Sequence, residues 1–378
     1  MSLSLLNGEQ TNPENIAGVL EKLKKNLASP KMGESPKVRS TLSNFILLYG
    51  SDKDTTKNSS IDGLLLEVAK CHPSRFFVIQ YDSSLAEPLT CAVKSSELKN
   101  SSGISLQTEE IFISVGDKGV ALVKNLILSH LVPDIETVLV FPKYSQKSEK
   151  LNDLTFQILP IVDSFICEAP DKYLRAFIRD NLVSFRSKYL AWLRIARWRN
   201  AISEQFDATY SLQALEGLER ISIEISGTEI QDETLFLVSW ILDCLGYRID
   251  KNEPIGDKKS FEIVLLKEGR QPAILELSFN AKSGLCGISK IGFYMQGDHG
   301  KNYVIESSYN SAEHTMQIST YGDHNSSEEQ EHETCEFYVR KVNCEALSES
   351  ELVVNLLRSS TMPSHSETFL QLNTYLGR

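Results

Sequence analysis

The stretch that decides the fold runs from residue 109 to 141, "EEIFISVGDKGVALVKNLILSHLVPDIETVLVF". Its opening, with Ile111, Phe112, Ile113 and Val115, is a short β-branched and aromatic run, as expected of a strand buried on both faces. Gly116 and Gly119 then lead into a segment where Val120, Leu122, Val123, Leu126 and Ile127 recur at helical spacing. Pro133 and Asp134 close that segment, and "ETVLVF" reads as a second strand. Strand, helix and strand at this spacing make a βαβ crossover, which requires a parallel pair.

Working outward, "RFFVIQY" (75–81) and "DSFICEA" (163–169) are runs of the same buried-strand type. Together they predict a three-layer α/β domain with a partly parallel sheet, ending near residue 170. Upstream, "PENIAGVLEKLKKNL" places Ile16, Val19, Leu20, Leu23 and Leu27 on one helical face, with Pro13 suited to a first turn. "VRSTLSNFILLYG" is too short to choose between helix and strand. "SDKDTTKNSS" reads as a polar loop before a helix "IDGLLLEVAK" opened by Ser60. Residues 171–246 read as almost wholly helical, ending in "DETLFLVSWILDCLGYR" with Gly246 as its stop. Beyond residue 256, "FEIVLL", "PAILELSF", "GISKIGFYM", "YVIESSY", "MQISTY" and "EFYVRKV" predict an antiparallel meander. Two closing helices follow, the first with a capping-box pair, Ser348 and Glu351. The expected class is thus α/β plus α+β, with residues 1–170 forming a helical leader and α/β domain. Residues 171–378 form a helical segment with an antiparallel-sheet domain.

Composition narrows the function classes. With 378 residues, 41% hydrophobic and 24% charged, the chain has the make-up of an ordinary globular protein. Its net charge of −11 repels phosphate backbones and argues against general nucleic-acid binding. No apolar run reaches the roughly 18 residues of a membrane span, and "MSLSLLNGEQ" does not read as a secretory signal. The seven cysteines are scattered, with no C-x-x-C pair, which fits a reducing cytoplasm.

Catalytic and ligand motifs are sparse. "SVGDKGVALVK" offers Gly116 and Gly119 but matches neither G-x-G-x-x-G nor a Walker pattern, so a plain strand-to-helix turn outweighs a dinucleotide site. "YGDHNSSEEQEHE" lacks regular ligand spacing and reads as a solvated acidic loop rather than a metal site. "CHPSR" sets Cys71, His72, Ser74 and Arg75 together; a helix stop at Pro73 followed by a strand start outweighs a nucleophile. His130 reads as a cap or core residue.

The most unusual stretch is "LAWLRIARWRN" (190–200). Between Lys172 and Arg199 eight cations face one acid, Asp180, a net of +7 that leaves −18 for the rest of the chain. At helical angles Trp192 shares a face with Arg199, and Trp198 with Arg194. Tryptophan and arginine are the residues most enriched at binding hot spots, yet aromatics with arginine stems over them also fill junctions inside a protein. Both readings stand, a docking surface for a protein and a buried girder.

In order along the chain, "VRSTLSNFILL", "HPSRFFVI", "EEIFISVGDKG", "LSHLVPDIETVLVF", "LPIVDSF", "YLAWLRIARWRNAISEQFD" and "LFLVSWILDCLGY" resemble the landmarks of the glucose-6-phosphate dehydrogenase assembly protein family, OpcA. The resemblance covers about residues 37–250 and continues more faintly through the C-terminal sheet. It implies a non-catalytic bacterial protein that binds glucose-6-phosphate dehydrogenase, promotes its active oligomer and raises its activity; from the motifs no cofactor or metal is expected, and from the cysteines a cytoplasmic location. By position the family blocks are Arg39 and Asn44; His72, Pro73, Ser74 and Arg75; Pro133 and Asp134; Asp163 and Ser164; and Trp192, Arg194, Trp198 and Arg199. Of these, Trp192, Arg194, Trp198, Arg199 and Arg75 are the expected partner-binding residues. Tyr247 departs from the family, which usually has tryptophan there, and "ETVLVFPKYS" lacks the usual tryptophan-rich strand end. The rival class is a sugar-phosphate-binding enzyme or sensor, with Arg75 and the Gly116–Gly119 turn gripping phosphate. A scaffold for some other enzyme is the third reading.

Overall fold

The computed structural model describes residues 8–28, 41–50, 56–99, 105–142, 149–169, 174, 176–177, 186–207, 209–250, 255–256, 260–280, 287–296, 302–323, 334–344, 347–359, 368–369 and 371–372. It divides into two compact units, Met1–Leu190 with Leu347–Met362, and Ala191–Ala346 with Pro363–Arg378. The α/β plus α+β class holds, with one mixed sheet in each unit.

In the first unit the strands are β1 (Glu9–Thr11), β2 (Ser43–Gly50), β3 (Ser74–Tyr81), β4 (Leu89–Lys99), β5 (Ser105–Val115), β6 (Glu136–Phe141), β7 (Ser164–Cys167) and β8 (Arg186–Tyr189). They lie in the order β1-β4-β5-β3-β2-β6-β7-β8. From β5 to β8 every neighbouring pair is parallel, while β4 joins β5 and β1 joins β4 antiparallel. Numbered among themselves, the parallel strands run 3-2-1-4-5-6, the order of doubly wound dinucleotide-binding sheets. The ambiguous "SNFILLYG" is the central strand β2, buried along all but its last residue. An unbroken apolar run is what a strand covered by helices on both faces requires.

Local reading and structure part at one place here. The segment "SDKDTTKNSS" is not all loop, since the helix Thr56–Cys71 begins five residues before Ile61. The glycines at 116 and 119 answer to packing rather than to a phosphate. A Cβ on Gly119 would lie 1.9 Å from the Pro88 carbonyl oxygen, and one on Gly116 would lie 2.8 Å from those of Leu85 and Glu87. The 85–88 backbone already fills the space an anion would take. Gly119→Ala is expected to destabilise the first unit by about 1–3 kcal/mol through overpacking, measured by urea unfolding; an unchanged midpoint would refute the close approach.

The second unit contains β9 (Leu218–Ser226), β10 (Arg248–Ile249), β11 (Ile255–Gly256), β12 (Ser260–Leu266), β13 (Ala273–Asn280), β14 (Gly287–Gln296), β15 (Asn302–Asn310), β16 (Thr315–Asp323) and β17 (Thr334–Asn343). Their order is β10-β12-β13-β9-β14-β15-β16-β17, with β11 on β12. The meander expected over β12–β17 holds for β12–β13 and for β14–β17, but β9 lies between β13 and β14, pairing parallel with the first and antiparallel with the second. Residues 171–246 are therefore not wholly helical, since β8 and β9 fall within them. In β9, Ile221, Ile223 and Ile225 are fully buried, the period of two that a one-sided sheet needs. The helix Asp232–Leu245 buries eight residues and stops at Gly246, whose φ of 71° is left-handed backbone. The helix Glu349–Arg358 carries the full Ser348–Glu351 capping box and returns the chain to the first unit. Among the described residues no helix is long and apolar enough to cross a membrane.

Candidate functional site

In the first unit, the described family-block residues gather at the amino ends of the parallel strands; Arg39 lies outside the described residues. Asn44 on β2 clamps the backbone of Val132 from both sides, its Nδ2 donating to the carbonyl and its Oδ1 accepting from the amide, each at 2.9 Å. The carboxylate of Asp163 accepts from the Thr137 amide at 2.8 Å. Ser164 and Arg186 both donate to Glu136 Oε1, at 2.6 and 2.7 Å. Asp134 sits in the turn before β6 with a φ of 61°, a left-handed conformation that aspartate tolerates.

The "CHPSR" group is part of the same edge. Ser74 Oγ donates to the His72 carbonyl at 2.9 Å, so the 2.9 Å contact between Ser43 Oγ and Ser74 Oγ takes its proton from Ser43. The His72 Nε2 contact to Ser43 Oγ at 3.1 Å must then be a donation from the ring. Neither hydroxyl proton is directed at the His72 ring, so the ring is not placed as a base toward either serine. Burial holds His72 below the usual histidine range, opposed by Glu136 and reinforced by Arg358 and Lys188. His130 is also held down, first by burial and then by Arg75. In unfolded chain these histidines take up protons near pH 6.5, while the folded ones resist. Stability is therefore lost as pH falls below that value. Unfolding midpoints between about pH 7.5 and 5 should drop less steeply in His72→Gln/His130→Gln than in the wild type; parallel profiles would contradict this.

Arg75 does not stand free. Its Nε and Nη2 donate to Glu109 Oε2 at 3.0 and 2.7 Å, and its Nη1 to the His130 carbonyl at 2.7 Å. It also lies at the amino end of β3, whereas Gly116 follows the carboxyl end of the parallel strand β5. The sheet thus holds Arg75 and the Gly116–Gly119 turn at opposite ends, and no phosphate grip forms from the two. In a 3-2-1-4-5-6 sheet the dinucleotide phosphates sit on the turn after the first parallel strand. After β2 the sequence reads "GSDKDTTK", with Gly50 as its single glycine.

In the second unit, "LAWLRIARWRN" folds into two short helices, Leu190–Arg194 and Ala196–Gln205, broken at Ile195. Trp198 is buried at 2% exposure, with Ala201 and Ile202 beside it on the inner face. Trp192 is half-buried and meets Phe236 edge-on at 6.3 Å; Phe236 stacks on Phe369 at 4.4 Å. The Arg199 guanidinium lies 3.6 Å over the Trp192 ring, the pairing that helical spacing predicts. Arg194 reaches Glu233 at 3.6 Å, in the first turn of the helix Asp232–Leu245. Arg197 lies 4.0 Å over Tyr309, with a long 3.5 Å contact to the Cys344 carbonyl. Desolvation pulls Arg199 down to about 10, still protonated at neutral pH.

Of the other sequence candidates, residues 324–333 of the acidic loop lie outside the described residues. Among the described residues no three His, Cys, Asp or Glu side chains come close enough to hold a metal ion. Sequence reasoning did not single out Lys188, which is 3% exposed and donates to the carbonyls of Leu356 and Ser359 at 2.7 and 2.9 Å.

Residues 187–363 match the OpcA family model, described as the C-terminal domain of a glucose-6-phosphate dehydrogenase subunit. Over this segment the chain is similar to that domain. The match begins at β8, contains Trp192, Arg194, Trp198 and Arg199, and runs through the second sheet; the "HPSR" block lies before it. No curated protein sequence matches the chain. Solved structures with a loose likeness include one described as an oxidoreductase from Thermotoga maritima, at 9% identity and TM-score 0.41, covering 89% of this chain and 96% of that one. An oxidoreductase from Sinorhizobium meliloti, at 10% identity and TM-score 0.40, covers 88% and 85%. At such scores the likeness carries no weight for fold or activity.

Proposed function

We propose that this protein is a non-catalytic assembly factor and allosteric activator of glucose-6-phosphate dehydrogenase, acting in a bacterial cytoplasm at the entrance of the oxidative pentose phosphate pathway. The observation that carries the reading is the family match over residues 187–363, which holds the Trp192–Arg199 block. Two features support it. The turn after β2 has one glycine where a dinucleotide fingerprint needs three. The Ser43–Ser74–His72 chain directs its protons away from nucleophile activation. In this reading Trp192 and Arg199 meet the enzyme, while Arg194 and Trp198 hold that surface in shape; Arg75 is a separate candidate contact on the first unit. Activation requires tighter binding to the enzyme's active conformation or oligomer than to the alternatives.

The test mixes the purified chain with glucose-6-phosphate dehydrogenase from its own organism, follows NADPH formation across substrate concentrations, and sizes the mixture. A complex with a higher rate is expected. No complex and no change in rate would overturn the proposal.

A further inference from the structure

Among the described residues the cation on Trp192 has no anion. Arg199 Nε is buried without an acceptor, and Nη2 has only a long 3.5 Å contact to the Trp192 carbonyl. No carboxylate among the described residues lies within ion-pair distance of it, whereas neighbouring Arg194 is matched to Glu233 and Arg186 to Glu136. A half-buried guanidinium without a counter-ion is costly, and stacking on an indole offsets only part of the cost. The stacked ring fixes the plane of the fork, so its orientation is settled before a ligand arrives.

Resting on the proposed function, we propose that Arg199, held flat on Trp192, is the receptor for a carboxylate side chain of the partner enzyme. A carboxylate fits better than a phosphate dianion, because a single guanidinium supplies one positive charge and, among the described residues, no second unpaired cation shares the Trp192 ring. The chain then recognises an acidic residue on glucose-6-phosphate dehydrogenase, although its own net charge of −11 would repel an acidic surface elsewhere. Complementarity is confined to this patch, which sets the register of docking.

The experiment measures the affinity of the full chain for the enzyme by calorimetry at low and high salt, for wild type, Arg199→Gln and Arg199→Lys. Arg199→Gln should weaken binding by about 30-fold or more and flatten the salt dependence. Its melting temperature should stay at or above that of wild type, which a merely structural arginine would not allow. Arg199→Lys should fall between the two. Equal affinity of wild type and Arg199→Gln would overturn the carboxylate receptor while leaving the assembly function intact. Should Arg199→Gln not fold, Arg199→Lys decides, a loss of about threefold or more supporting the receptor and equality overturning it. If wild type binds no enzyme, the assembly function fails, and a glutamate-rich peptide becomes the probe. Quenching of tryptophan fluorescence by that peptide in wild type but not in Arg199→Gln upholds the site; no difference overturns it.

Discussion

Trp198→Ala should lower the melting temperature of the second unit far more than Trp192→Ala, although both tryptophans belong to one eleven-residue stretch. Trp198 is 2% exposed and packs inward with Ala201 and Ile202. Removing a fully buried indole costs about 3–5 kcal/mol in lost transfer energy and in the cavity left behind. In a unit of this size that corresponds to about 6–20 °C. Trp192 keeps one side toward solvent and meets Phe236 edge-on at 6.3 Å, so its loss removes less apolar area and leaves less of a cavity. It does, however, take away the ring beneath Arg199. Thermal unfolding followed by near-ultraviolet circular dichroism separates the two cases. Equal shifts would contradict the assignment of Trp198 to the core and Trp192 to the surface. The composition puzzle of "LAWLRIARWRN" thus resolves into two roles. One tryptophan is a girder, and the other is a platform for an arginine.

What was legible in the sequence follows the range of the interaction involved. The Trp192–Arg199 contact depends on residues seven apart on local helix, and helical spacing alone finds it. Continuous apolar runs revealed β3, β5, β6 and β7 because burial on both faces leaves no room for polar residues. Strand β4 escaped, since "LTCAVKSSELK" mixes Lys94, Ser95 and Ser96 into a strand that lies second from the sheet's edge. Strand β9 escaped for a different reason. Its Ile221, Ile223 and Ile225 alternate clearly, but helices flank it on both sides and the local signal was absorbed into theirs. The 3-2-1-4-5-6 order is long-range, and so is its consequence that Arg75 and Gly116 lie at opposite ends of the sheet. Composition placed them in one candidate grip; strand direction separates them. The pairing of Arg75 with Glu109 likewise depends on the register of β3 against β5, which no local pattern encodes.

Lys188→Met should selectively loosen the helix Glu349–Arg358, which lies some 160 residues further along the chain. Within the first unit, Lys188 Nζ donates to the Leu356 carbonyl at 2.7 Å and the Ser359 carbonyl at 2.9 Å. These groups belong to the end of that helix, where the carbonyls carry the negative end of the helix dipole and attract a cation. Two effects compete in the variant. Removing a buried ammonium recovers desolvation free energy, which is why burial draws the Lys188 pKa down despite the opposing pull of Glu136. Against this, two carbonyls lose charge-assisted hydrogen bonds worth about 1.5–3 kcal/mol each. Methionine keeps the apolar stem but donates nothing. The second effect should win, because the carbonyls stay where they are while the ammonium's desolvation was already offset by those bonds. The expected net loss is on the order of 2–4 kcal/mol. Its signature is local, as the last turn should open first. Amide exchange over Asn355–Ser359, where the Ser359 amide donates to Asn355 and Leu356, should accelerate before the sheet amides of β2 and β3 respond. If those amides exchange at wild-type rates in Lys188→Met, the lysine is not what holds the returning helix. If every amide of the first unit accelerates equally, the helix and sheet open as one cooperative piece, and Lys188 contributes to global stability rather than to a local clasp.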